Sequence, residues 1–224
     1  MIALDNVKVR YGVRVALTGV STTLSERRIA IIGDNGSGKS TFARLLNGLI
    51  IPTVGRVSVL GLDTARDGAQ VRRRVGFVFQ NPESQLVMPT VAEDLAFGLK
   101  AHGVPAGERA ARVEATLQQL GASALRDRAC AELSGGEKQL VALAGALVLA
   151  PDILICDEPT AMLDLRRART FMKVLAGLPQ QVIVVTHHVD LLAGFERAIL
   201  LAEGRVVEDG GAADVIARYV AASA

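Results

Sequence analysis

Apolar and polar residues alternate over Ile2–Arg10, which predicts a half-exposed strand ending at the turn signal Tyr11-Gly12 and opening a small antiparallel sheet. Short strands are predicted to follow at Arg28–Ile32, Arg56–Leu60, Val75–Phe79, Ile153–Cys156, Val182–Thr186 and Ala198–Leu201, several of them continuous apolar runs. Runs of this kind suit strands covered on both faces, so they predict a mostly parallel sheet and an α/β fold. Ser40–Leu49 has helical spacing with Gly48 near its end. Between Asn81 and Ala150 the pattern turns helical, with Val91–Lys100, Glu108–Leu120 and Gly136–Leu149 separated by Gly, Pro and Ser. Residues 81–151 are therefore expected to form a helical subdomain inserted into a single domain of residues 1–224, and Ala212–Ala222 to form a last helix. There is no internal repeat or low-complexity linker.

Composition narrows the classes. A chain of 224 residues, half of them hydrophobic, can bury a sizeable core. Its 25 basic and 23 acidic residues are dispersed and leave a net charge of +2, so nothing predicts a nucleic-acid footprint. The densest basic run, Arg72-Arg73-Arg74, reads as a solvated edge beside a strand. Cys130 and Cys156 lack zinc or redox spacing, and the expectation is two ordinary buried thiols in a reducing compartment. The N-terminus has no signal-peptide pattern, and Gly, Pro or charge breaks each apolar stretch before about 18 residues, so neither secretion nor a membrane span is expected.

The candidate chemistry begins after the strand Arg28–Ile32. Gly33-Asp34-Asn35-Gly36-Ser37-Gly38-Lys39-Ser40 has two glycines at the ends of a loop, then Lys and a hydroxyl, and it opens a helix. Glycines let backbone N–H groups converge on phosphate oxygens, and the helix N-terminus adds its positive dipole end. Lys39 is placed to neutralise the β- and γ-phosphates and Ser40 to bind magnesium. Such a loop indicates a nucleotide triphosphatase or kinase without saying which.

Ile153-Leu154-Ile155-Cys156-Asp157-Glu158 is an apolar strand ending in two carboxylates. Beside a phosphate loop, that spacing puts Asp157 near magnesium and Glu158 where it can polarise an attacking water. Leu133-Ser134-Gly135-Gly136-Glu137-Lys138-Gln139 precedes a helix, so Ser134 reads as an N-cap and Gly135-Gly136 as exposed backbone donors forming a second anion site.

With these residues in this order the chain resembles the ABC ATPase family across nearly its whole length, and the fold implied is a P-loop ATPase core with an N-terminal antiparallel β-subdomain and an inserted helical subdomain. The family signature reads Leu-Ser-Gly-Gly-Gln, and Glu137 replaces the final Gln here. By resemblance Tyr11 stacks on adenine. Gln80 matches the loop glutamine that touches magnesium and the attacking water while sensing the transport partner. Asp164 matches the loop crossing between subunits, and it equally suits a helix N-cap. His187 matches the switch histidine within reach of the γ-phosphate. His188 is secondary, and the pair raises a metal alternative that lacks a third ligand. His102 sits in a Gly- and Pro-flanked turn with no chemistry assigned.

The resemblance further implies a head-to-tail dimer, in which Ser134 and Gly136 of one subunit close over ATP held by Gly33–Thr41 of the other. A homodimer with two competent sites is expected, and a heterodimer is also compatible. Gln80-Asn81-Pro82-Glu83-Ser84-Gln85-Leu86 is similar to a segment of energy-coupling factor transporter ATPases, with Gln85 expected to begin a helix beside a groove for the transmembrane component. Those transporters import vitamins and transition-metal ions. The end of the chain at residue 224, without a C-terminal extension, favours a biotin-type system over a cobalt or nickel one. The competing classes are a soluble ABC ATPase acting on nucleic acid or ribosomes and a P-loop small-molecule kinase.

Overall fold

A computed structural model describes residues 1–222. Strand β1 (Ile2–Tyr11) pairs antiparallel with β2 (Arg14–Leu24) and β4 (Val54–Val59), and β5 (Leu62–Asp63) completes a four-stranded sheet in the order β2-β1-β4-β5. The second sheet holds β3 (Arg28–Ile32), β6 (Val75–Val78), β7 (Ile153–Asp157), β8 (Gln181–Val185), β9 (Arg197–Ala202) and β10 (Arg205–Gly211). Its order is β10-β9-β3-β8-β7-β6, parallel except for the edge strand β10, whose pairing with β9 is antiparallel.

The apolar runs are continuous because both faces of this sheet are covered. In β3, Ile29 and Ile31 enter one core while Ala30 and Ile32 enter the other. Ile153 and Ile155 of β7 alternate with Leu154 and Cys156 in the same way, as do Ile183 and Val185 of β8 with Val182 and Val184. The first core includes the antiparallel sheet and α1 (Lys39–Leu46), which contributes Phe42, Leu45 and Leu46. The other core takes in α3 (Val91–Ala101), α4 (Ala106–Gln119), α5 (Gly135–Leu147), α6 (Leu165–Gly177) and α7 (Ala212–Ala222). Between β6 and β7 the chain makes helices and turns with one isolated antiparallel bridge, Thr90 to Ala129, and its helices share one core with the sheet face rather than building their own.

Several expectations need correction. Gln85 does not begin a helix: Pro82–Ser84 is a single 3₁₀ turn that Gln85 closes. The Gln85 side chain instead completes the ladder at the edge of β6, accepting from the Phe79 N–H at 2.8 Å and donating to the Phe77 carbonyl at 3.1 Å. The basic run is solvated and sits directly before β6, as expected, and its backbone forms the last turn of a short helix, α2 (Gly68–Arg74). Lys and Arg suit that position because the helix C-terminus carries partial negative charge. The predicted helices Ser40–Leu49 and Gly136–Leu149 are shorter, ending at Leu46 and Leu147. The cysteines are buried and free, and burial pushes the Cys156 thiol far above its ordinary range. His102 caps the C-terminal end of α3, with Nδ1 3.0 Å from the Gly98 carbonyl oxygen.

Candidate active site

The loop from β3 to α1 curls because its glycines occupy backbone conformations other residues avoid. Gly33, Gly36 and Gly38 have φ of 139°, 83° and 105°. Space decides as well: a Cβ on Gly33 would lie 2.1 Å from the Leu201 carbonyl oxygen, and one on Gly38 2.7 Å from that of Ala16. The β9–β10 hairpin clasps the loop from outside, Gly204 donating to the Ser37 carbonyl at 2.9 Å and accepting from Thr18 N–H at 2.8 Å.

Lys39 is buried, and its ammonium donates to the carbonyls of Gly33 at 2.8 Å and Asp34 at 2.9 Å, with Glu158 Oε1 3.9 Å away. Burial pulls its pKa down, against the opposing pull of Glu158, Asp157 and Asp34. Ser40 Oγ donates to Asp157 Oδ1 at 2.9 Å. Burial raises the pKa of Asp157, since one serine bond and a distant Arg44 at 4.0 Å compensate its charge incompletely. The donors of Ser40, Asp157 and the nearby Gln80 carboxamide are all hard oxygens, the set magnesium takes. No group of three or more His, Cys, Asp or Glu that could hold a metal exists among the described residues, which leaves the His187-His188 pair without the third ligand its metal alternative needs.

Glu158 is buried at the end of β7 with φ of 49°, strained for a residue with a side chain. Its N–H is anchored on the Val185 carbonyl. One carboxylate oxygen, Oε1, lies 3.0 Å from His187 Nδ1. The other, Oε2, is buried and has no hydrogen-bond partner. A carboxylate held by His187 at the wall of the cleft is placed as a water-activating base requires. His188 packs its ring 4.1 Å from that of His187 and reaches Thr160 Oγ1 at 3.4 Å.

Tyr11, Asn35, Gly36, Gly38, Lys39, Ser40, Thr41, Gln80, Glu158 and His187 line one cleft of about 560 Å³. Tyr11 is 49% exposed at its mouth, and Asp157 lies just behind Ser40. Gly33 and Ser37 support the loop from beneath, and the Ser37 hydroxyl is buried without a partner. Arg14, Val15 and the hairpin-tip residue Glu203 also line the cleft and went unread in the sequence. The turn dipeptide Glu203-Gly204 between two strands was the available signal.

Ser134, Gly136 and Asp164 are not in this cleft: they line a separate one with Arg166 and Arg167 of α6, and Gly135 is the first residue of α5 next to them. Ser134 caps α5 in a capping box, where its N–H donates to Glu137 Oε2 at 2.7 Å and Glu137 N–H returns to Ser134 Oγ at 3.4 Å. The replacement of Gln by Glu137 thus serves the cap, and its second oxygen pairs with Arg128 at 2.9 Å. Hydrogen bonds from Ser134 hold the Glu137 carboxyl below its ordinary range. Asp164 caps α6, accepting from Arg167 N–H at 2.9 Å.

Comparison with known proteins places this geometry. The chain is 50% identical over 218 residues, 97% of each chain, to the biotin transport ATP-binding protein BioM of Rhizobium etli. It is 46% identical over 215 residues to the energy-coupling factor transporter ATP-binding protein EcfA1 of Symbiobacterium thermophilum, covering 92% of this chain and 74% of that one. The solved structure of cbiO1 from Clostridium perfringens, part of the ABC transporter complex cbiONQ, superposes with a TM-score of 0.87 at 33% identity, over 97% of this chain and 91% of that one. A dimeric post-hydrolysis structure of the ATP-binding cassette MJ0796, bound to ADP and Pi, gives 0.82 at 29% identity, over 95% and 99%. The ABC transporter family model matches residues 7–161. The chain belongs to the ABC transporter family, as one of its ATP-hydrolysing subunits.

Proposed function

We propose that this chain powers biotin import as a homodimer on the cytoplasmic face of the membrane, bound to a transmembrane coupling component and an integral substrate-binding component. The observation that carries the cargo is the near full-length similarity to a biotin transport ATP-binding protein. No described helix is long and apolar enough to cross a membrane, which fits an attached motor.

In this reading Tyr11 stacks on the adenine and Gly33–Thr41 cradle the phosphates, with Lys39 leaving its two loop carbonyls for the β- and γ-phosphate oxygens. Ser40, Gln80 and Asp157 hold magnesium, which when bound offsets the negative charge of the phosphates. Glu158, at the wall of the cleft, orients the attacking water and takes its proton, while His187 holds the carboxylate at Oε1 and reaches the γ-phosphate. The signature residues Ser134 and Gly136 and the loop residue Asp164 line a different cleft of the same chain, with Gly135 beside them at the start of α5. A head-to-tail dimer brings them over the partner's nucleotide, so ATP joins two chains and its hydrolysis releases them.

The test is to purify the intact membrane complex through this subunit and identify its companions and retained ligand. Retained biotin with an integral binding partner supports the proposal. Retained cobalt or nickel would reassign the cargo, and recovery without any membrane partner would overturn the transport reading.

A further inference from the structure

Asp34 is the odd member of the phosphate loop. It carries a negative charge one residue from Asn35, which lines the cleft, yet Asp34 itself does not line it. Its Oδ1 accepts a hydrogen bond of 2.8 Å from the hydroxyl of Tyr219, 185 positions away on α7. That helix is packed against β9 and β10, with Val215 fully buried and Tyr219 half-buried against the same core. The phenol is a dependable donor, since burial and Asp34 push its pKa up to about 12. The Asp34 carbonyl, on the other side of the residue, accepts from Lys39.

We propose that Tyr219 is a positioning residue for nucleotide binding: it draws the Asp34 carboxylate onto the terminal helix and so keeps a negative charge out of a cleft built for a polyanion. The inference rests on the assignment of Gly33–Ser40 as the phosphate loop. Without the phenol hydroxyl, the Asp34 side chain is free to turn toward the phosphates, and like-charge repulsion weakens ATP binding. Repulsion of this kind acts through solvent-exposed space and is screened by salt over about 10 Å at 0.1 M. A purely structural loss would not share that dependence.

The experiment measures ATP affinity, with magnesium, of the full chain and of Tyr219→Phe at low and high ionic strength, alongside ATP turnover. Asp34→Asn and the double variant complete the cycle. The expected result is an ATP Kd and KM raised about three- to tenfold at low salt, shrinking toward twofold at about 0.5 M salt, with kcat retained. In the Asp34→Asn background, Tyr219→Phe should have no further effect. Equal weakening at both salts, or weakening that persists in that background, would show that Tyr219 merely holds α7 in place. An affinity unchanged at low salt would overturn the proposal outright. Lys39→Ala is the separate control: if it binds ATP as the parent does, the phosphate-loop assignment itself fails.

Discussion

Glu158→Gln isolates the chemical step, because it preserves shape while removing charge and basicity. In the parent, Oε1 faces His187 at 3.0 Å and Lys39 at 3.9 Å, and Oε2 is buried without a hydrogen-bond partner. The amide keeps an acceptor on one side and replaces the proton acceptor by an N–H₂ on the other. General-base assistance contributes about 10²–10⁴ in rate, or about 3–5 kcal/mol of barrier. Binding should move the other way. At 3.9 Å, Glu158 attracts Lys39 by about 4 kcal/mol at an effective dielectric of 20, before desolvation is counted, and so competes with phosphate for the ammonium. The variant should therefore bind ATP as tightly as the parent or more so, accumulate as an ATP-bound dimer on gel filtration, and release phosphate at least about a hundredfold more slowly in single-turnover assays. Turnover within threefold of the parent would refute the role assigned to Glu158.

Three further outcomes follow from the same geometry. Mixing Ser134→Arg chains, which keep the phosphate loop, with Lys39→Ala chains, which keep the signature loop, should restore up to about a quarter of parent ATPase activity from two inactive preparations; no recovery would contradict head-to-tail sharing. Ser40→Ala removes one proposed magnesium oxygen and the bond to Asp157, and the magnesium concentration needed for half-maximal hydrolysis should rise about tenfold or more in a metal titration. Asp157 has a folded pKa raised by burial above its ordinary 3.8, so its ionisation costs the nucleotide-free fold stability that is intact at acid pH and lost as pH rises through the raised value. Asp157→Asn should then raise the melting temperature of the nucleotide-free chain at pH 7, by about 2–4 °C per kcal/mol relieved, and lose that advantage near pH 4, while abolishing most hydrolysis.

The residues that meet phosphate were legible because their chemistry demands fixed spacing in a fixed context. Gly33, Gly36 and Gly38 before Lys39-Ser40, and two carboxylates after an apolar strand, each fall where the sequence puts them. The parallel strands were legible for the same reason that they are continuous, since both faces are buried. Two elements with a polar face were lost. β2 runs through Thr18-Gly19-Val20-Ser21-Thr22-Thr23, and its apolar content is too thin for an alternation argument. α6 has the core stripe Ala168, Phe171, Met172 and Leu175 at helical spacing, obscured by Arg166, Arg167 and Arg169 in its first turns. Gln85 was expected to begin a helix from the family resemblance, but its side-chain amide bonds the backbone of β6 and the following loop instead. The separation of the signature loop from the phosphate cleft is a tertiary fact that no local pattern records.

The central claim is that this cleft turns ATP hydrolysis into import. Its most direct measurement is uptake of labelled biotin by vesicles containing the purified complex, with ATP supplied on the side bearing this subunit. The parent complex should accumulate biotin in proportion to phosphate released, and the Glu158→Gln complex should bind ATP without accumulating any. Equal biotin uptake by both complexes, or hydrolysis by the parent with no uptake of biotin, cobalt or nickel, would contradict the account.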